Sequence, residues 1–462
     1  MERAGLAAAH IARSLCADRG RAVLVIAGPG NNGGDALVVA RHLKEWWFKV
    51  EVVFTGEPAK LPADARAAHD AWRDADGITL TQMPANPGCD LIVDGLFGIG
   101  LRRDLTAEHA ATVAAINRLS CRVLALDVPS GLDSDTGAVR GCAVRAHTTA
   151  TFIGLKAGLL TLEGPDYCGE IHLCTLGLAP PASPYKSRVI GADILNALLP
   201  VRRLNSHKGD YGSVGILGGA AGMAGAALLA GRAALQLGVG RVYLGLLHDT
   251  KLGYDPVQPE LMLRPAHQIL GLEHLNAFAI GPGLGQTPDA FKLVMDALQT
   301  GRPLVIDADA LNLLAQDGSL QQAAASRSAP TLLTPHPAEA ARLLGSDTAA
   351  VQSDRIGAAI TISQRYKSFV VLKGAGSVCT NANGAWYINT SGNPGMASAG
   401  MGDVLTGIIT ALLAQGVDPL KALLGGVHLH GAAGDALAGA VGKIGMTASE
   451  CITAARRLLN HL

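Results

Sequence analysis

Short, almost continuously apolar runs alternate along this chain with stretches of helical period. AVLVIA from Ala22, VEVVF from Val50, DLIVDGLF from Asp90 and VLALDVPS from Val123 read as strands. Runs without a clean polar face predict strands covered on both sides, as in a parallel sheet flanked by helices. ALVVARHLKEWW and AEHAATVAAINRL, which lie between them, repeat their apolar positions at helical spacing. Right-handed crossovers then place the loops after each strand along one sheet edge, where ligands of such folds bind.

The alternation breaks near Leu178 into APPASPYKSR, whose three prolines suit a linker, and resumes at Ile190. The expected organisation is a first domain over 1–180, a linker over 181–189 and a second domain over 190–462. In the second, SVGILGG, RVYLGLL, AFAIGPG, PLVIDAD, PTLLTPH and FVVLKGAG read as strands. Helical stretches follow Ala224, Asp289, Ser353, Asp403, Pro419 and Ala448. No fixed-period repeat is visible, and the fold class is α/β twice over.

Composition narrows the function classes. Hydrophobic residues make up 49% and charged residues 16%, which suits buried parallel sheets rather than disorder. The 57 glycines show no three-residue period and point to tight strand-to-helix turns. Lys plus Arg equals Asp plus Glu, 38 against 38, so no net field draws the chain to nucleic acid or membrane, and anions must be bound locally. The eight cysteines include no C-x-x-C pair, which argues for a reducing compartment rather than zinc or a disulfide framework. The opening MERAGLAAAHIARSL carries Glu2, Arg3, His10 and Arg13, unlike a secretory signal. The Ala/Gly run from Ala220 is broken by Arg232, too early to span a bilayer. A cytoplasmic protein acting on small molecules, as a homo-oligomer, is expected.

Candidate chemistry falls at strand ends. After AVLVIA come Gly28, Gly30, Gly33 and Gly34, which let backbone amides approach an anion at a helix start. The spacing is neither a Walker loop nor a clean G-x-G-x-x-G. Asn31, Asn32 and Asp35 add more polar side chains than a turn needs. Asp94 ends LIVD, and Asp127 ends VLALD before Val128, Pro129, Ser130 and Gly131. Either aspartate alone reads as a cap. Converging with Asn32 and Ser130, they make an all-oxygen set suited to a hard cation.

In the second half, NPGMASAGMGDVLTGIITALLAQG places Gly395, Gly400 and Gly402 before Asp403, which opens an apolar helix. The loop and helix dipole suit a phosphate in transfer, and the carboxylate is placed to take a proton from a hydroxyl. Capping alone needs no preceding Gly-x-Gly. KGAG (Lys373–Gly376) suits a nucleotide's phosphates or adenosine, and GPGLG (Gly281–Gly285) allows close backbone approach. His336 lies between two prolines in TPHP, open to a structural or a substrate role. Asp307, Asp309 and Asn312 read either as Mg²⁺ or water ligands or as caps, and His428 and His430 as packing.

These motifs carry a resemblance over nearly the whole chain. NNGGD at Asn31–Asp35, VDGLFGIGL at Val93–Leu101 and DVPSGLD at Asp127–Asp133 resemble the epimerase domain of the YjeF-type bifunctional NAD(P)H-hydrate repair enzymes. SHKGDYG, GMAGAA, GPGLG, DADALNLL, LTPHPAEAARLLG, KGAGS and NPGMASAGMGDVLTGI resemble their ADP/ATP-dependent dehydratase domain. The resemblance implies a Rossmann-like (YjeF N-type) first domain and a ribokinase-like second one. It implies potassium at Asn32, Asp94 and Ser130. Hydrate binding falls to Asn31, Asn32, Gly33, Gly34, Asp35, Gly98, Ile99, Gly100, Leu101, Arg102, Arg103, Asp104 and Asp127, with Asp127 in acid–base exchange at C6 of the ring. In the dehydratase it implies hydrate contacts at Ala226, Gly283, His336 and Asp403. Lys373, Gly374, Ala375, Gly376, Ser377 and Gly402 hold ADP or ATP, which Mg²⁺ accompanies. The S hydrate's hydroxyl is then phosphorylated, with Asp403 as base, and phosphate is eliminated.

Three departures from the family pattern stand out. Arg103-Asp104 replaces an Arg-Pro pair, Ala399 replaces a Gly, and Met1 falls inside a helix that begins earlier in the family. The last bears on whether the epimerase half is active. The rival reading is a ribokinase-like small-molecule kinase fused to a non-catalytic nucleotide-binding module.

Overall fold

The computed structural model describes residues 1–17, 20–179, 187–196, 198–247 and 253–461. The chain divides into two compact units, Met1–Pro184 and Tyr185–Leu462. Of the expected linker, 181–186 lie outside the described residues. Ser187–Val189 are not linker: they begin a strand of the second unit, paired in parallel with Trp386–Ile388.

The first unit is one parallel sheet of β1 (Ala22–Ala27), β2 (Lys49–Phe54), β3 (Ile78–Leu80), β4 (Leu91–Gly95), β5 (Arg122–Leu126), β6 (Thr148–Phe152) and β7 (Glu170–Cys174). Their order is β3-β2-β1-β4-β5-β6-β7, so the chain switches direction between β1 and β4. That switch opens a crevice outside the strand C-terminal ends. Close approach at the crevice excludes side chains at two glycines. A Cβ on Gly28 would lie 1.8 Å from Leu96 O, and one on Gly33 2.0 Å from Gly28 O. Asn31–Asp35 form the first turn of the helix Asn31–Glu45, which therefore starts five residues before the expected Ala36. Helix Glu2–Leu15 packs on it, with its Gly5 against Val38.

The second unit holds β8 (Ser187–Ile190), β9 (Ser213–Gly218), β10 (Arg241–Leu246), β11 (Met262–Pro265), β12 (Ala277–Ile280), β13 (Leu304–Ile306), β14 (Thr331–Leu333), β15 (Phe369–Leu372), β16 (Ser377–Thr380) and β17 (Trp386–Asn389). They order as β11-β10-β9-β12-β13-β14-β15-β16-β17-β8, antiparallel only where β16 meets β15 and β17. Helix Met401–Ala414 is buried from Val404 to Ala414 and crosses helix Ala224–Gln236. The crossing is tight at Gly407, where a Cβ would lie 2.2 Å from Ala230 O. Among the described residues no helix is long and apolar enough to cross a membrane. The cysteines are free thiols, and His428 and His430 are buried, in line with their packing reading.

Candidate active sites

The first site gathers on the ends of β1, β4, β5 and β6. Asp94 is fully buried. Its Oδ1 accepts bonds from Ser130 Oγ (2.7 Å) and Leu96 N (3.2 Å), and its Oδ2 from Ser130 N (2.8 Å). Burial pushes this carboxyl up, and the Ser130 and Leu96 bonds oppose that shift. Asn32 Nδ2 donates to Phe97 O at 2.9 Å, and Ser130 Oγ lies 3.2 Å from the same carbonyl. Asn32 and Ser130 thus meet at the Phe97 carbonyl, an oxygen that side-chain reasoning does not find, and Ser130 links Asp94 to the same group. One carboxylate among neutral oxygens matches the charge of a monovalent hard cation, which would also relieve the burial of Asp94.

Asp127 ends β5 in the left-handed region, φ 63°, its amide bonded to Ala150 O at 2.7 Å. A non-glycine residue there turns the backbone sharply and aims its side chain out of the strand. The carboxylate pairs with Lys156, which no motif reading singled out. Asp35, on the first turn of Asn31–Glu45, is pushed up to about 7 by burial, opposed by the chain's amino terminus and reinforced by Asp127. Gly98 lies against Asn32, while Ile99 stays 60% exposed and Arg102, Arg103 and Asp104 are exposed. The loop after β4 therefore opens to solvent beside a buried oxygen cluster.

The second site is a polar chain joining the ends of β13 and β15 to the helices Pro337–Leu344 and Met401–Ala414. Lys373, just beyond β15, reaches Asp307 Oδ1 at 3.1 Å and Glu339 Oε2 at 4.0 Å. Thr406 Oγ1 donates to Asp307 Oδ2 at 2.7 Å. Burial lowers the Lys373 ammonium, but Asp307, Glu339 and Asp403 outweigh it and hold it high. The helix of Asp403 is capped by Gly400 at φ 90°, with no side-chain cap bond. Asp403 is therefore no cap. Burial, chiefly, pushes its carboxyl from 3.8 up to about 6; Asp307 adds, Lys373 opposes, and Asp309 and Glu339 add further. A half-buried carboxylate of that basicity at a helix N-terminus suits general-base work near neutral pH.

Around it the predicted loops are fixed by packing and capping contacts. Gly283 at φ 57° lies so close to Met223 and Ala226 that a Cβ would come within 3.2 Å of Ala226 Cβ. His336 caps helix Pro337–Leu344: its Nδ1 accepts the amides of Ala338 (3.1 Å) and Glu339 (3.3 Å). Its Nε2 lies 3.2 Å from Glu339 Oε1, which joins it to Lys373 through Glu339. Asp309 Oδ2 accepts the Gly285 amide at 2.8 Å, and Asn312 Oδ1 accepts from Arg342 at 2.8 Å. Asp307, Asp309 and Asn312 are thus each held by protein groups. Among the described residues there is no cluster of metal-ligating side chains. The KGAG turn rests on Arg355, a buried cation whose Nη2 donates to Leu372 O (3.3 Å) and Lys373 O (3.2 Å). Burial pulls that guanidinium down to about 10. Arg355 sits 18 residues before the turn it supports, in an ordinary helical stretch, and nothing local marks it.

Comparison with known proteins agrees with this layout. Residues 1–158 match the family model described as YjeF-related protein N-terminus, and 214–457 that described as NAD(P)H-hydrate dehydratase. The chain is 39% identical over 469 residues to the bifunctional NAD(P)H-hydrate repair enzyme Nnr of Escherichia coli K12, covering 100% of this chain and 89% of that one. It is 36% identical over 471 residues to the corresponding enzyme of Thermofilum pendens, covering 97% and 89%. A crystal structure of the ADP/ATP-dependent NAD(P)H-hydrate dehydratase of Bacillus subtilis, co-crystallised with ATP and Mg²⁺, superposes with a TM-score of 0.52 at 31% identity. It covers 59% of this chain and 98% of its own. Both family models in their fused order, with relatives matched over nearly full length, show that the chain belongs to the bifunctional NAD(P)H-hydrate repair enzymes.

Proposed function

We propose that the chain returns hydrated NADH and NADPH to their reduced forms. The first unit interconverts the R and S hydrates, and the second dehydrates the S hydrate at the expense of ADP or ATP. The observation that carries the reading is Asp403: a carboxyl raised to about 6 at the glycine-capped start of a buried helix, beside Lys373 and Asp307.

Asp403 takes the proton of the ring hydroxyl as that oxygen attacks the terminal phosphoryl group, whose bond to the rest of the nucleotide breaks to release AMP from ADP or ADP from ATP. Helix amides behind Gly400 and Gly402 face the developing charge. Loss of phosphate from C6, with a proton from C5, then restores the double bond. Ala226 and Gly283 would border the hydrate and His336 its edge, while Lys373–Ser377 and Gly402 hold the nucleotide. Because Asp307 and Asp309 are engaged by Lys373, Thr406 and Gly285, Mg²⁺ is assigned to the nucleotide's phosphates and not to a protein cage. In the first unit Asp127 exchanges the proton at the C6 centre. Asn31–Asp35 and Gly98–Asp104 line the hydrate. Asn32, Asp94 and Ser130, with the Phe97 carbonyl, would hold potassium, which supplies positive charge beside the bound cofactor. The reading extends to a cytoplasmic homo-oligomer, which light scattering on the full chain tests.

The deciding experiment supplies purified full chain with mixed hydrates, Mg²⁺ and ADP or ATP. Recovery of reduced-nicotinamide absorbance with release of free phosphate is expected. A stable phosphorylated product, without recovery, would instead support the small-molecule kinase.

A further inference from the structure

The geometry points to Lys156 as the residue that positions Asp127 for the epimerase reaction, a role that rests on the epimerase reading above. β5 and β6 are neighbours, with Leu126 beside Ala150, and each ends in a non-glycine residue of positive φ: Asp127 at 63° and Ile153 at 68°. Gly154 N bonds back to Phe152 O at 2.7 Å, so the chain turns at once and brings Lys156 over the end of β5. Two backbone departures of this kind side by side turn a carboxylate and an ammonium toward each other.

The ammonium has three hydrogens, and three protein acceptors surround it: Asp127 Oδ1, Thr151 Oγ1 at 3.0 Å and Phe152 O at 2.8 Å. Its side chain is only 17% exposed. A lysine so engaged is poorly placed to bind a substrate phosphate; its charge is directed at Asp127. On the carboxylate, the bonds from Lys156, Thr151 Oγ1 (3.4 Å) and Phe152 N (3.3 Å) all fall on Oδ1. One oxygen is clamped, and Oδ2 is the one presented to the substrate. Lys156 therefore fixes which oxygen of Asp127 handles the proton, and in what direction.

The test measures interconversion of R and S hydrates by the full chain without nucleotide, so that the second unit consumes nothing. Lys156→Met is expected to lower kcat about 100-fold while KM stays within about threefold. Lys156→Arg, which keeps the cation, should recover about tenfold of that loss. Added to Asp127→Asn, Lys156→Met should cost less than about threefold more, because its target is already gone. An equal loss in both backgrounds, or no loss in the single variant, would overturn the assignment and leave Lys156 as a loop tether or a bystander. A wild-type chain that does not interconvert the hydrates would overturn the epimerase reading itself, and this assignment with it.

Discussion

Asp403→Asn should make the second unit more stable while abolishing dehydration. Burial and neighbouring carboxylates raise the Asp403 carboxyl from 3.8 to about 6. The folded protein therefore binds this proton more tightly than the unfolded chain does. Between pH 4 and 6 the native state carries the extra proton, so stability falls as pH rises through that window. Above it both states are ionised, and the cost is constant. A difference of about two powers of ten in proton affinity corresponds to about 3 kcal/mol at pH 7. Asparagine keeps the shape without the charge and should recover most of that. Hydrogen exchange of peptides from the second unit of the full chain, followed through urea at pH 7.5 and 4.5, reads the difference. The variant should lie above wild type at pH 7.5, with the gap shrinking to about 1 kcal/mol at pH 4.5. Equal stability at pH 7.5 would refute the claim that Asp403 is held ionised against its surroundings. Residual dehydration within tenfold of wild type would refute its role as base.

Four further outcomes follow from the same geometry. Asp94→Ala leaves Ser130 N and Oγ without their buried acceptor and should destabilise the first unit by about 3 kcal/mol, read by the same exchange measurement on its peptides; Asp94→Asn should instead weaken the response of epimerisation to added potassium. Gly407→Ala forces a methyl toward Ala230 O, 2.2 Å away, and should cost about 1–3 kcal/mol in the second unit's denaturation midpoint. Arg355→Met removes the donors that hold Leu372 and Lys373 carbonyls, and should raise KM for ADP or ATP about tenfold with KM for the hydrate nearly unchanged in steady-state kinetics.

Much of the fold is legible because strands buried on both faces must be written as apolar runs. β1, β2, β4, β5 and the strands from β9 to β15, β11 excepted, follow such runs. β6 is not visible in this way: its TTATF is polar by letter, yet Thr148, Thr149 and Thr151 are buried, with the Thr149 hydroxyl bonded to Cys168 O at 2.7 Å. β8 hides inside a segment whose prolines and serine read as linker, and exists through pairing with β17, some 200 residues away. The start of helix Asn31–Glu45 is missed because Asn and Gly are poor helix formers, and packing overrides propensity there.

At the sites, the residue pattern alone points to the groups and roughly to their places: glycine loops after strands, a carboxylate at Asp127 and another at Asp403. Their local spelling carries that much, because a close turn needs glycine and a base needs an ionisable group. Which atoms meet is set by the folded chain. Lys156 on Asp127, the Phe97 carbonyl between Asn32 and Ser130, Arg355 beneath KGAG, and Asp307 between Lys373 and Thr406 join residues between 18 and 99 positions apart. Parallel crossovers bring strand ends to one edge whatever their separation along the chain. The basicity of Asp403 likewise belongs to no motif, since it arises from burial and from neighbours that only the folded chain assembles.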